Sequence, residues 1–470
     1  MMRKYIVLFI LVCLTILLEG CKDYVDIRTK GTLVPKETQN YRYLMNNRSG
    51  LISSVTLPDV CSDDVDIVDS VQQAALLVPL SSSSLNTVSR INFANGYLWG
   101  ASFYTTLETD MDWEPVYGVI YNANVVISEV LSSINGTTAE KNQIWAEALV
   151  HRADAYLSLI STYAKAYDAT TSASDPGVPL LLEPSLDAKL NRATVQTVYD
   201  QVIDDLKKAL PYLPQINTVN SLPSKAAAFA LLARTYHRME KYNEGAQYAD
   251  SALAIQNTLL DLQQYLNATY PMATSDPEII LSKTASTNFR YSPTVLRLSN
   301  EMLDLLGTQD LRYVLFTAPT SSLAYGYSGR AYYKDYLTFE NRNTGPSVGE
   351  MMLIKAEALA RNQDASGAMN LINQLRLKRF KSEEYSDLIA TDAMDALVKV
   401  LEERRKELFC HGGFRWFDLK RLNKDSRFAK TLKRNFQGTE YTLEPNGNRY
   451  VFPIGEKYIQ YNPEIEQNPR

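Results

Sequence analysis

Alanines placed where helices would touch, between residues 143 and 256, constrain the fold more than any other feature of this chain. In Ile144–Tyr167, Trp145, Leu149, Ala153, Tyr156, Ile160 and Ala164 recur at three- and four-residue steps, with Glu147, His151, Asp154 and Ser158 opposite. That period is an amphipathic helix. Val195–Leu213 is a second. Lys225–Met239 and Asn243–Leu253 form a close pair, Ala226, Ala230, Ala233 and Tyr236 set against Ala246, Ala249 and Leu253. Alanines let two backbones approach closely, and the pattern is that of a tetratricopeptide-like hairpin. A second such hairpin is expected at Val348–Asn362 and Asp364–Arg376, opened by Ser347 and Glu350 in capping-box spacing. A very charged helix follows at Ala390–Phe409.

The remaining text lacks this period. Phe103–Leu131 has helical spacing, and short helices are expected at Tyr41–Arg48 and near Ser299–Leu306. Short strands are expected at Ile279–Ser282, and at Thr439–Leu443 and Arg449–Phe452 on either side of the turn Pro445-Asn446-Gly447-Asn448. The fold class is therefore mostly α: a tetratricopeptide-like scaffold, mainly 143–256 and 347–409, with few short strands. A large irregular half, mainly 51–107 and 257–345, is loop-rich and dense in tyrosine. Long irregular stretches in a compact protein carry function or are disordered, and the aromatic content argues against disorder.

At the start, Arg3 and Lys4 precede the apolar run Tyr5–Leu18, which is shorter than the about 20 residues a membrane span needs. It reads as a signal peptide. Leu17-Leu18-Glu19-Gly20-Cys21 looks like a bacterial lipobox, so residues 1–20 are expected to be removed and Cys21 acylated, leaving residues 21–470 as one unit. Several lipid chains, at about 0.8 kcal/mol per buried methylene, hold a soluble body on a membrane. Cys61 and Cys410 are then, with Cys21, the only cysteines of the mature chain; their spacing gives no support for a disulfide, and two thiols frame no metal site.

Catalytic signals are sparse. The histidines are His151, His237 and His411; none sits in an HExxH pattern, and no GxSxG or phosphate loop is present. Glu108, Asp110, Asp112 and Glu114 flank Trp113, and Asp63, Asp64 and Asp66 form a second acidic cluster. A glycosidase would need two such carboxyl groups about 5–9 Å apart across a cleft, but acidic clusters are more often solvated loops or caps. Calcium near Asp63, Asp64 and Asp66 is the one metal the sequence admits, without EF-hand spacing. No other cofactor is called for. The charge is mildly negative and the basic residues are scattered, which excludes a nucleic-acid groove. Aromatic rings offer a better use: a flat apolar face for the C–H side of a sugar, or for a protein partner. Trp99, Tyr104, Trp113, Tyr325, Tyr327, Tyr332 and Tyr333 are the rings considered for a ligand.

The segment Glu-Arg-Arg-Lys-Glu-Leu-Phe-Cys-His-Gly-Gly-Phe-Arg-Trp-Phe-Asp-Leu-Lys-Arg at 403–421 resembles the C-terminal hallmark of the SusD/RagB family of Bacteroidota outer-membrane lipoproteins. Tyr450-Val451-Phe452-Pro453-Ile454-Gly455-Glu456, then Asn462-Pro463 and Gln467-Asn468-Pro469, resemble its closing motif, so the hallmark region runs over 403–470. His411 stands where that family usually has glutamate, and Gly455 where a second proline is common. The resemblance implies a surface-exposed, lipid-anchored outer-membrane protein, not an enzyme, that captures a glycan and delivers it to a SusC-like TonB-dependent transporter. A peptide ligand in the same complex is the alternative it leaves open, with a non-binding structural lipoprotein behind it and a surface glycosidase last.

Overall fold

The computed structural model describes residues 35–52, 57–77, 90–185, 187–285, 296–323, 326–338, 340 and 342–470. The lipobox and Cys21 lie outside the described residues. In chain order the helices are α1 (Thr38–Asn46), α2 (Leu57–Cys61), α3 (Ser70–Leu77), α4 (Arg90–Tyr97), α5 (Glu114–Glu129), α6 (Thr138–Tyr163), α7 (Val195–Ala209), α8 (Lys225–Arg238) and α9 (Tyr242–Leu253). They continue as α10 (Asn300–Leu306), α11 (Leu311–Phe316), α12 (Lys334–Thr338), α13 (Val348–Arg361), α14 (Ala365–Arg376), α15 (Ala393–Leu408), α16 (Phe414–Leu422) and α17 (Glu456–Tyr461). Besides short 3-10 turns there are three two-stranded antiparallel pieces among the described residues: β1 (Pro176–Pro179) with β2 (Arg192–Thr194), β3 (Thr317–Pro319) with β4 (Arg330–Tyr332), and β5 (Leu432–Phe436) with β6 (Thr439–Leu443). The fold is mostly helical with a few short strands.

The helices stack in sequence. α5 packs on α6, α6 on α7, α7 on α8, and the hairpin α8–α9 lies against α13, which in turn carries α14 and α15. Small residues set these distances: Ala226, Ala227, Ala230, Ala233, Ala249 and Ala252 are buried. At Gly245 of α9 a Cβ would meet the Ala233 carbonyl oxygen and the His237 amide at 3.3 Å, so a side chain there would push the two close backbones apart by a few tenths of an ångström. Side-chain caps fix where helices begin. Thr137 and Glu140 form a capping box at α6, and Ser224 accepts from the Ala227 amide at 3.2 Å. Ser347 likewise accepts from Glu350 N at 3.3 Å, but the Glu350 carboxylate completes no capping box; it grips Arg234 of α8 with two 2.7 Å bonds.

Three expected elements differ. The helix expected from Phe103 starts only at Glu114, because the chain before it turns to bury Phe103, Tyr104 and Trp113. Ile279–Ser282 makes no strand; Ile279 forms an isolated bridge to Ser347. Strand Thr439–Leu443 is present but pairs with Leu432–Phe436, not with 449–452, which opens in a 3-10 turn. The hairpin turn is Gln437-Gly438, with φ of 51° and 78°. Two positive φ values give the type I′ twist that suits right-handed strands.

Candidate functional site

Most of the candidate rings are structural. Trp99 is 1% exposed; its indole N–H donates to the Cys61 carbonyl at 3.0 Å, and the Arg434 guanidinium covers its face at 4.4 Å. Trp113 sits between Tyr117 and Tyr163, each 4.9 Å away, with Tyr458 stacked at 6.1 Å. Tyr104 and Tyr327 are buried, and Tyr332 is wedged between Phe409 at 5.5 Å and the Arg342 guanidinium at 4.6 Å. Such rings supply apolar area to the core and have no free face for a sugar. Tyr325 lies outside the described residues. Tyr333 is different: it is half-buried and stacks on Tyr336, centroids 5.2 Å apart and planes within 3°. The ring choice from the sequence missed Tyr336. The three-residue spacing into α12, where i and i+3 share a face, was the available signal.

The acidic clusters are likewise built into the fold. Arg415 holds Asp63 with bonds of 2.6 and 2.8 Å, Lys430 adds a third at 2.8 Å, and Arg405 holds Asp64 at 2.7 Å. Tyr97 donates to Asp66 at 3.1 Å. Three bases stand where a calcium ion would, so the expected calcium position is corrected to an ion-pair cluster; burial works against ionised Asp63, but Arg415 and Arg405 outweigh it and hold the carboxyl well below the usual range. Among the described residues no group of His, Cys, Asp and Glu is arranged to hold a metal. Cys61 and Cys410 are both free and buried. His151 accepts from Lys283, and His237 bonds Glu357 at 2.8 Å.

Asp110 lies beneath Trp113, bonded by the Tyr163 hydroxyl at 2.7 Å. Burial, then the neighbouring Asp112, pushes its pKa from 3.8 up to about 8. A carboxyl raised in the folded state contributes fully below pH 3.8, and the contribution is lost as pH rises through about 8. Asp110→Asn is expected to flatten the stability profile in that window and to unfold later than wild type at pH 8.5; thermal melts across pH 5–8.5 check it. Parallel profiles for the two proteins would contradict the assignment.

Two cavities compete for attention. The larger, about 280 Å³, lies at the end of α6 beside Lys420, Lys424 and the 446–448 turn. Its buried lysine is already engaged: Lys420 donates to the Ser161 and Ala164 carbonyls, each at 2.6 Å, and so caps the C-terminus of α6. The smaller, about 60 Å³, lies between the 270–279 loop, α12, Asn343 and the end of α15 with His411. Its wall is acidic, with Asp276, Glu278, Asp335 and Glu407 against Lys334, and arginines behind it hold most of the carboxylates. Glu278 and Glu407 bond Arg379 at 2.9 and 2.7 Å, and Asp335 bonds Arg342 at 2.8 Å. The Lys334 ammonium lies over Phe316 at 4.5 Å and Tyr270 at 5.5 Å. Burial, with Lys334 and Arg342 nearby, keeps the His411 imidazole well below its ordinary pKa and therefore neutral.

Comparison with known proteins decides the class. Residues 68–237 match the SusD-like family described as "Starch-binding associating with outer membrane", and residues 324–470 match the SusD family. The chain belongs to the SusD/RagB family. SusD-like protein P38 of Formosa agariphila is 24% identical over 432 residues, covering 76% of this chain and 79% of that one. A SusD superfamily structure from Bacteroides thetaiotaomicron superposes with a TM-score of 0.70 at 22% identity, covering 92% of this chain and all of the other. A laminarin-binding SusD-like protein gives 0.66 at 18% identity, covering 93% and 100%. SusD/RagB proteins bind rather than catalyse, and the charge-paired carboxylates here fit that class. In this SusD-like chain the hallmark segment is a set of long-range ties. Arg404 bonds Asp418 at 2.8 Å, and the Gly412 and Gly413 amides, at φ of 69° and 76°, donate to Asp59 at 3.1 and 2.7 Å. Arg421 reaches Glu357 at 2.6 Å.

Proposed function

We propose that this protein is a surface lipoprotein, anchored through acylated Cys21, that captures an oligosaccharide and hands it to a partner TonB-dependent outer-membrane transporter. Membership of the SusD/RagB family carries the reading. The description of one structural neighbour as laminarin-binding, and of another as a SusD-like carbohydrate-binding protein from Bacteroides vulgatus, supports a glycan as ligand class. The hairpins α8–α9 and α13–α14 are the tetratricopeptide-like layer, and it faces the transporter in this reading. The irregular half faces outward, with the parallel Tyr333/Tyr336 pair as its platform for a sugar ring.

The test is calorimetry of the detergent-solubilised chain against plant, host and microbial oligosaccharides, a β-1,3-glucan series included, with a peptide digest alongside. Saturable heat with one glycan class is expected. Tyr333→Ala with Tyr336→Ala should remove about 2 kcal/mol of binding, roughly 30-fold in Kd, as loss of an aromatic anchor does. Heat with peptides alone would replace the glycan by a peptide.

A further inference from the structure

A third cavity, about 30 Å³, lies where the end of α6 meets α7, α8, α15 and α16. Its wall carries Lys165, Arg238, Arg404, Lys420 and Arg421 against one carboxylate, Asp418. Three of these cations have an acid. Asp418 accepts from Arg404 at 2.8 Å, Glu357 behind the wall pairs with Arg421 at 2.6 Å, and Asp175 pairs with Lys165 at 2.7 Å. Arg238 and Lys420 meet only neutral acceptors among the described residues. Arg238 donates through Nη1 to the Leu157 carbonyl and Ser161 Oγ, and Lys420 directs two of its three N–H groups at the Ser161 and Ala164 carbonyls. Glu350 also acts on Arg238, but two 2.7 Å bonds commit it to Arg234. Burial, then Arg234, brings the Arg238 pKa down to about 10, and burial, then Arg238, brings that of Lys420 down to about 7. Two buried cations thus press on each other without a counter-charge.

We propose that this cavity holds a single oxyanion group, a carboxylate, sulfate or phosphate, on Arg238, Arg404 and Lys420. Buried cations without partners are unfavourable until something neutralises them, and the guanidinium edge matches an oxyanion. The donors are open to it. Arg238 Nε and Nη2 and Arg404 Nη2 bond nothing among the described residues, and none of the three is sealed from solvent. They are also held in place. Arg238 lies over Phe417 at 4.7 Å and Arg404 over Phe414 at 5.5 Å, so rings cover guanidinium faces and leave the in-plane N–H groups. Size limits the occupant to one small group and excludes a sugar ring. The 280 Å³ cavity shares Lys165, Ala166 and Lys420 with this one, so the group comes either as a free ion or as the acidic end of a chain lying there. The site is separate from the Tyr333/Tyr336 platform and does not depend on glycan capture.

The probes are sodium phosphate, sulfate and acetate, added to the detergent-solubilised chain at constant ionic strength with chloride as the balance. Thermal midpoints and calorimetric heats are read for wild type, Arg238→Met and Lys165→Glu. The last places an acid at the rim, where the lysine side chain is 61% exposed and folding is not at stake. Wild type is expected to gain stability saturably with at least one oxyanion. Its Kd should weaken about tenfold or more in Arg238→Met and about threefold or more in Lys165→Glu. Oxyanions that shift the midpoint no more than chloride does overturn the site. So does a Kd unchanged in Lys165→Glu, which decides alone if Arg238→Met does not fold. Crystals grown with selenate, located by its anomalous signal, give a second check: selenate bound elsewhere and not between Arg238 and Arg404 overturns the site. A uronate-ended oligosaccharide that competes with phosphate assigns the group to a chain end. Phosphate binding without such competition assigns it to a free ion, and both results support the site.

Discussion

Glu357→Ala is expected to destabilise the protein by about 3–5 kcal/mol, the cost of leaving buried cations unpaired. Glu357 sits on α13 with no exposure, and three elements converge on it: His237 of α8 at 2.8 Å, Arg421 of α16 at 2.6 Å and Arg361 of its own helix at 2.7 Å. Burial raises its pKa, but Arg421 and His237 outweigh that and hold it well below 4.5. A carboxylate depressed in this way contributes fully above pH 4.5, and the contribution drains away as pH falls through its folded value. Urea unfolding at pH 7 and pH 4 measures both effects. The deficit of Glu357→Ala should be large at pH 7 and smaller in acid. A loss below about 1 kcal/mol at pH 7 would mean that Arg421 and His237 find other partners, and the account of this junction would be wrong.

Arg312→Met should cost a similar amount, with a recovery in acid that begins at higher pH. The Arg312 guanidinium bonds Asp310 at 2.7 Å, Glu403 at 2.6 Å and Glu407 at 2.7 Å, all within the fold. Without it, three carboxylates share a low-dielectric site with less positive charge, and protonation becomes their relief. Against burial, Arg379 and Arg312 hold the Glu407 carboxyl down at about 2; losing Arg312 lets it rise, so the variant should recover part of its deficit as pH drops from 7 to 5, where Glu357→Ala recovers least. Chemical unfolding at the two pH values separates the cases. A deficit that does not shrink in acid would show that Arg379, which also holds Glu407, compensates alone.

The two variants probe parts of the chain that differed in legibility. α8, α9, α13, α14 and α15 begin and end within a few residues of their sequence expectation, because a 3.6-residue period, a Ser cap and a run of alanines are local signals. The hallmark at 403–421 was legible as a motif, though its partners were not: nothing near Arg405 in sequence points to Asp64, nor near Gly413 to Asp59. Rings posed the same difficulty. A tryptophan reads alike whether it lies on a surface or, like Trp99, under an arginine, and only neighbours in space decide. The β5–β6 turn was missed for a different reason. Pro445-Asn446-Gly447 is the louder turn signal, but Gln437-Gly438 makes the positive-φ pair that a tight hairpin needs. That Arg238 and Lys420 meet no carboxylate among the described residues has no sequence signal at all, since each would be ordinary with a partner.

The ties from the hallmark segment also order the birth of the protein. Arg415 and Asp63 are 352 positions apart, and Arg434 donates to the carbonyls of Cys61 and Ser62 at 3.0 and 2.6 Å. The early segment around α2 therefore cannot settle until residues 412–434 have been made and delivered. A chain threading out of a ribosome or a translocation channel stays open at its front until its rear arrives, and contacts of such sequence separation form slowly. Closure comes as a late, concerted event, on whichever side of the membrane the last residues emerge.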